Sequence, residues 1–134
     1  ETAYKISKEL NISIEELIER DSVYNWGFVL KKTGELIGSG GLVFIESKGM
    51  YELGYNIMKK CWGQGFATEA AQRIIDFGKN ELKQKQFYCC HAKDNPASGN
   101  VMTKIGFRYQ QDGTYSSWNQ ERMFESKEYL LIVQ

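Results

Sequence analysis

The spacing of the apolar residues changes at Gly63 and Gly65, and this change limits the folds open to the chain. Before these glycines, short apolar segments separated by turn residues have the composition of β-strands. After them, apolar residues recur at the spacing of one helix face, at Ala67, Ala70, Ala71, Ile74, Ile75, Gly78 and Leu82. A strand follows this predicted helix, Phe66–Leu82, and a strand–helix–strand connection of that length predicts two parallel strands.

Three strands are predicted ahead of the glycines, at Tyr24–Leu30, Leu36–Ile45 and Met50–Met58. Their short connections indicate an antiparallel meander. The second of these strands contains three glycines, which indicates a β-bulge or a close approach of two backbones.

The first twenty residues are predicted to be helical. Ile6 and Leu10 stand four residues apart, and Ser13 with Glu16 forms a capping box that would start a short helix. At the other end of the chain, the predicted strand Phe87–Ala92 is followed by a second helix.

Asn95 and Pro96 are a favourable N-cap and first residue for that second helix, which is predicted to end at Gly106. The last thirty residues predict a hairpin of two strands, Phe107–Trp118 and roughly Phe124–Val133. The expected fold class is therefore α/β, a mixed sheet that is antiparallel at first and then contains one crossover helix and one shorter helix.

Composition argues against several kinds of partner. At 134 residues the chain fits one domain, 1–134. Seventeen basic residues balance seventeen acidic ones, whereas nucleic-acid-binding domains normally carry a basic excess. No apolar run approaches the roughly 18 residues of a membrane helix. Three cysteines, two of them adjacent, do not form a disulfide framework, so we expect reduced thiols and a cytoplasmic location.

The two glycines also indicate an anion site. Glycine lets backbone N–H groups turn toward a ligand, and the first N–H groups of the following helix attract anions. A glycine turn that merely enters a helix is the alternative. A dinucleotide-binding fingerprint would need Gly or Ala where Thr68 stands, and a Walker loop would need Gly-Lys-Ser/Thr; neither pattern is present.

The segment from Trp62 to Ala70 resembles the coenzyme A-binding signature of the GNAT superfamily of N-acetyltransferases, in the branch of the RimJ/RimL ribosomal-protein acetyltransferases. The segment from Asn95 to Phe107 is similar to that branch's Asn-x-x-Ser and Gly-Phe pattern. Thr33–Gly38 resembles its hairpin between the second and third strands. The likeness covers roughly residues 24 to 110.

The resemblance implies that acetyl-CoA lies in a V-shaped opening between Met50–Met58 and Phe87–Ala92. The pantetheine arm would pair with the backbone of Asn56, Ile57 and Met58. The diphosphate would contact Gly63, Gln64, Gly65, Phe66, Ala67 and the Thr68 hydroxyl. Lys60 stands where the family usually has Gln or Arg, and it would contact phosphate as a point charge. Asn95 and Ser98 would line the thioester end.

Two residues are candidates for catalysis. Glu52 occupies the position of a strand glutamate that serves as base in histone-acetylating relatives; the alternative is a solvent-facing glutamate. Many relatives have, where this chain has Met102, a tyrosine that acts as the acid for the leaving thiolate. Ser98 is therefore the candidate hydrogen-bond donor to the departing sulfur. Ser98 could equally serve as a helix-capping residue, as Asn95 would.

The run Cys89-Cys90-His91 does not predict a cysteine enzyme. Cys90 and His91 point to opposite faces of a strand, and Cys89 stands about 6.5–7 Å from His91 at ordinary strand rise. The run also lacks the spacing of a zinc site, and no metal is expected. Buried thiols and a hydrogen-bonded histidine are the preferred interpretation.

The sequence thus predicts an acetyl-CoA-dependent N-acetyltransferase acting on a primary amine, either a protein N-terminus or a small molecule. The alternatives are a non-catalytic acyl-CoA-binding domain on the same fold and a plain interaction domain. Relative to the family, the chain is expected to lack the first strand and helix. The resemblance also implies a possible homodimer, since dimer contacts in the family often involve the C-terminal strands.

Overall fold

A computed structural model describes residues 4–7, 23–116 and 121–133. Within these residues, seven strands form one sheet in the order β1-β2-β3-β4-β5-β7-β6. The strands are β1 Tyr4–Ser7, β2 Val23–Leu30, β3 Leu36–Ile45, β4 Met50–Ile57, β5 Gln86–Ala92, β6 Arg108–Ser116 and β7 Met123–Ile132. The helices are α1 Phe66–Asn80 and α2 Pro96–Lys104, and a 3-10 turn spans Lys59–Cys61.

The predicted mixed sheet is confirmed. Strands β1 to β4 pair antiparallel in chain order, β4 pairs parallel with β5, and β7 lies antiparallel between β5 and β6. The close approach predicted from the glycines of β3 is also present, because a Cβ at Gly41 would collide with the carbonyl of Tyr24. The ends of the predicted elements are off by one or two residues at most positions where they can be compared.

The prediction of a helix over the first twenty residues is wrong at Tyr4–Ser7. These residues form β1, in register with β2 from Tyr4 opposite Leu30 to Ser7 opposite Gly27. Pairing with β2 satisfies the backbone groups on one side of these four residues, which are too few to form a stable helix alone. The capping box at Ser13 and the predicted end of β6 at Trp118 lie outside the described residues.

Strands β4 and β5 separate soon after they meet. They pair only at Tyr51 with Phe87 and at Glu52 with Tyr88, although both strands continue beyond these positions. The Leu53 carbonyl comes next on β4, and it accepts a hydrogen bond of 3.3 Å from the Cys89 thiol rather than from a backbone amide. The splayed parallel strands expected from the sequence are therefore confirmed.

Helix α1 covers one face of the sheet and fixes the positions of β4 and β5. Its buried stripe includes Ala70, Ala71, Ile74, Ile75 and Gly78. Gly78 is needed for contact, since a Cβ there would lie 2.5 Å from the Phe87 ring, which is itself fully buried. The small residues of α1 thus let the helix lie close to the sheet.

We expect Gly78→Ala to destabilise the protein although alanine favours helices over glycine by up to about 1 kcal/mol. The added methyl group would push against Phe87, and such overpacking typically costs roughly 1–3 kcal/mol. Urea denaturation would measure the change in the free energy of unfolding. Gly54→Ala is the control, because a Cβ at Gly54 meets nothing within 4 Å. A Gly78→Ala protein as stable as the wild type would contradict the close packing.

Candidate active site

A cavity of about 210 Å³ lies where β4 and β5 separate. Its walls come from β4, β5, the start of α2 and β6. The structure brings together three residues singled out from the sequence, Glu52, Asn95 and Ser98, which all line this cavity. Tyr55 and Cys90 line the same cavity.

The cavity connects the two faces of the sheet. Tyr51 contacts Tyr24, and Tyr24 packs against Phe77 of α1, so Tyr51 lies on the face covered by the helices. By strand alternation Tyr55 lies on that helix face, and Glu52 on the opposite face. Both nevertheless line the same cavity. A ligand from the helix side and a second ligand from the other side would therefore meet between β4 and β5.

The Glu52 carboxylate is partly buried in this opening. Burial raises its pKa above the ordinary glutamate value, and the negative charge of Glu128 acts in the same direction. A hydrogen bond from the Cys90 thiol, with 3.4 Å between Sγ and Oε2, and the positive charge of Lys48 lower the pKa and offset part of the shift. Glu52 thus binds a proton more readily than an exposed glutamate, as a base near neutral pH should.

Cys89, Cys90 and His91 each form a hydrogen bond with a neighbouring protein group. Burial raises the pKa of Cys89 well above the ordinary thiol value, and burial together with Glu52 raises that of Cys90 to about 11. His91 is buried, with Nδ1 2.7 Å from the Ala92 carbonyl and Nε2 3.2 Å from the Tyr129 hydroxyl. The interpretation of this run as non-catalytic thiols with a bonded histidine is supported, except that Cys90 is only half-buried and lines the cavity.

The glycine turn has the backbone that an anion site requires. Gly63 and Gly65 both have positive φ, 76° and 82°, and Gly65 is the N-cap of α1. Helix geometry leaves the amides of Ala67 and Thr68, in the first turn of α1, without intrahelical partners, and Gly65 has no side chain to cap them. A Cβ at either glycine would meet nothing within 4 Å, so the backbone conformation, rather than space, is the reason for glycine here.

A groove of about 450 Å³ continues from this turn between α1 and α2. Gly65 and Thr68 lie at one end, and the groove also contains the side chains of Arg73 and Lys104. The sequence pattern did not indicate a role for these two cations. Arg73 stands five residues after Thr68 on α1, and Lys104 is the last residue of α2, so only the packing of the two helices shows that they share a groove.

The expected cofactor residues of β4 differ in orientation. The Met58 amide donates to the Ile37 carbonyl at 2.7 Å and therefore faces β3. Because neighbouring residues of a strand direct their backbone groups to opposite sides, Ile57 faces the opening and Asn56 faces β3. The Ile57 carbonyl accepts a hydrogen bond of 2.7 Å from the indole of Trp62. The edge of β4 toward the opening is thus formed by the backbone of Leu53, Tyr55 and Ile57.

Lys60 forms an exposed ion pair with Glu35, at 2.5 Å between Nζ and Oε2. This hydrogen bond raises the pKa of Lys60, so its ammonium stays charged. An exposed pair contributes little to stability, so Lys60 can exchange Glu35 for another anion. A contact between Lys60 and phosphate remains a prediction.

Comparisons with known proteins agree with this fold. The family described as acetyltransferase (GNAT) domain matches residues 4–108. The uncharacterized protein YkkB of Bacillus subtilis (strain 168) is 36% identical over 102 residues, 74% of this chain and 58% of that protein. The uncharacterized N-acetyltransferase p20 of Bacillus licheniformis is 29% identical over 71% of this chain and 54% of its own length. The chain therefore spans little more than half the length of these relatives.

A solved structure shares the fold. The microcin C7 self-immunity acetyltransferase MccE, in complex with acetyl-CoA and AMP, superposes with a TM-score of 0.71 over 86% of this chain and 63% of its own, at 14% identity. In the part of the chain that the structure describes, no helix is long and apolar enough to cross a membrane. Nor do the described residues contain a group of three or more metal-binding side chains.

Replacing Glu52 by glutamine is expected to stabilise the fold at neutral pH. Burial raises the pKa of Glu52 in the folded state. The free energy of unfolding therefore falls as pH rises from the pKa of the unfolded state through that of the folded state. Above the folded-state pKa the protein bears the full cost of burying the charged carboxylate. A neutral amide carries no such cost. The melting temperature of Glu52→Gln should therefore exceed that of the wild type at pH 7–8, and this gain should vanish below about pH 4.

Glu46→Gln is the control for this measurement, because Glu46 is exposed just beyond β3. It should leave the melting temperature unchanged at both pH values. A gain for Glu52→Gln that persisted undiminished at low pH would show that removal of a buried charge is not its cause.

Proposed function

The chain belongs to the GNAT acetyltransferase family, and from this premise we propose that it transfers the acetyl group of acetyl-CoA to a primary amine. The observation that carries the proposal is the opening between β4 and β5, with Glu52 on one face and Ser98 toward the other. In this proposal the opening lets a thioester that enters from the helix face reach an amine held beside Glu52, the candidate base. Membership of the RimJ/RimL-like branch, a cytoplasmic location and a homodimer are further expectations from the sequence.

The phosphates of CoA suit the helix side of the molecule. The diphosphate would accept hydrogen bonds from the backbone amides of the glycine turn and the start of α1, and from the Thr68 hydroxyl. The groove beyond the turn would hold the adenosine end, where Arg73 and Lys104 supply positive charge for its phosphate. The similarly folded MccE forms a complex with acetyl-CoA, which supports binding of this cofactor by the same fold.

The pantetheine arm would then pair with the edge of β4 like an additional strand. Tyr55 and Ile57 direct their backbone groups toward the opening. The arm would therefore pair with these two residues rather than with Asn56, Ile57 and Met58 as expected from the sequence. The thioester would reach the cavity beside Asn95 and Ser98. This path uses backbone groups that β5 leaves unpaired because it separates from β4.

The transfer requires a neutral amine. A lysine-like amine, with a pKa near 10.4, costs on the order of 4–5 kcal/mol to deprotonate at pH 7, whereas a chain-terminal amine near 8 costs only about 1 kcal/mol. Glu52, directly or through a water molecule, would accept the proton as the nitrogen attacks the thioester carbonyl. The carbon–sulfur bond then breaks, and its electron pair leaves with the CoA sulfur.

Gly65→Val is expected to weaken CoA binding at least about tenfold, or roughly 1.4 kcal/mol. A β-branched residue disfavours the positive φ of 82° and would turn the amides away from the phosphates. Gly49→Val is the matched control, since Gly49 also has a positive φ and a Cβ there meets nothing within 4 Å. Calorimetric titration with CoA would compare the two. Equal CoA affinity in both variants would remove the diphosphate site and the proposed function with it.

Glu52→Gln is expected to lower kcat/KM for a lysine-like or polyamine acceptor by about 10²–10⁴-fold, the usual contribution of a general base. The loss should be smaller for an α-amino acceptor, whose pKa is lower. Thiol release from acetyl-CoA, measured across N-terminal peptides, polyamines, aminoglycosides and amino acids, would test this. Glu46→Gln serves as the control.

The same assay separates the alternative function. A wild-type protein that binds CoA but releases no thiol with any of these amines would be a non-catalytic acyl-CoA-binding domain. A protein that does not bind CoA at all would be an interaction domain on this fold.

A further inference from the structure

We propose that the Tyr55 hydroxyl donates a hydrogen bond to the CoA sulfur as the carbon–sulfur bond breaks, which makes Tyr55 a catalytic residue. This inference rests on the proposed function. Tyr55 belongs to β4 and lies on the helix face of the sheet, while Glu52 of the same strand lies on the other face. Both side chains line the cavity between β4 and β5.

The positions of the two groups fit the direction of the reaction. The amine is deprotonated beside the Glu52 carboxylate and forms the new bond to the carbonyl carbon from that side. The sulfur, which keeps the electron pair of the broken bond, departs toward the end of the cavity from which the thioester arrived. That end lies on the helix face, where α1 and the glycine turn would hold the CoA phosphates.

The Tyr55 hydroxyl extends across the opening. Its O–H donates to the Ser98 carbonyl at 3.2 Å, so a side chain of β4 reaches the first turn of α2. Helix geometry also directs the Met102 amide at this carbonyl. When Tyr55 turns its O–H toward a thiolate, the Ser98 carbonyl therefore keeps one hydrogen bond, and no buried acceptor is left unpaired.

The hydroxyl acts as a hydrogen-bond donor and not as an acid. Burial raises the pKa of Tyr55 above its ordinary value near 10, so the hydroxyl stays protonated throughout the working range. Proton transfer to a thiolate, whose conjugate acid has a pKa near 8.5, would be uphill. A hydrogen bond to the charged sulfur stabilises it without that transfer, and the thiolate takes a proton from water after release.

Binding of two CoA analogues tests this role apart from turnover. Calorimetry at an alkaline pH, where part of the CoA thiol is ionised, would compare CoA with desulfo-CoA, which lacks the sulfur. The wild type should prefer CoA, and Tyr55→Phe should lose about tenfold of that preference with unchanged affinity for desulfo-CoA. Under turnover, the same variant should lower kcat about tenfold or more, with the KM for acetyl-CoA within about threefold.

Two further variants complete the test. Tyr51→Phe is the matched control, because Tyr51 lies on the same strand and face but outside the cavity, and it should keep the CoA preference. Ser98→Ala removes the competing donor proposed from the sequence. A loss of preference in Ser98→Ala but not in Tyr55→Phe would overturn the inference and assign the role to Ser98.

Three further outcomes distinguish failure of this inference from failure of the proposed function. If Tyr55→Phe weakens CoA and desulfo-CoA equally, Tyr55 only supports the cavity wall, and the inference fails. If the wild type binds and turns over acetyl-CoA while Tyr55→Phe keeps its full preference, the inference fails and the proposed function stands. If the wild type binds neither analogue, the proposed function itself fails.

Discussion

The parallel pairing of β4 with β5 ends after two residues, and the rest of the site depends on that early end. A buried backbone group left without a partner costs about 1–3 kcal/mol, so the separated edge of β4 needs other donors. The Leu53 carbonyl accepts from the Cys89 thiol and the Ile57 carbonyl from the Trp62 indole. Because these donors are side chains, they pair with the two β4 carbonyls without bringing the β5 backbone to hydrogen-bonding distance of β4. The opening between the strands is therefore kept.

The features that the sequence predicted well are those set by local chemistry. The change of period at Gly63 and Gly65 located α1 and therefore the parallel strand pair. The absence of a Cβ permits the positive φ found at both glycines, and the sequence shows that absence directly. Asn95 and Pro96 likewise marked the start of α2 through capping preferences alone. The candidate base required more, since only the family resemblance distinguished Glu52 from an ordinary strand glutamate.

The features that were missed depend on contacts between distant parts of the chain. Strand β1 pairs with a strand some twenty residues later, and nothing in its four residues marks that edge. Arg73 and Lys104 share a groove only because α1 packs beside α2. Tyr55 lines the cavity, but strand alternation gives β4 two faces without showing which face meets the opening of the sheet.

Burial has opposite chemical consequences for the two groups on either face of β4. It raises the pKa of Glu52, which makes this carboxylate a stronger base than an exposed glutamate. It also raises the pKa of Tyr55, which keeps that hydroxyl a donor at every pH the protein meets. One partly buried cavity thus favours proton acceptance where the amine attacks and hydrogen-bond donation where the thiolate leaves. Wider separation of β4 and β5 would admit water and weaken both effects together, so the width of this opening couples the two halves of the reaction.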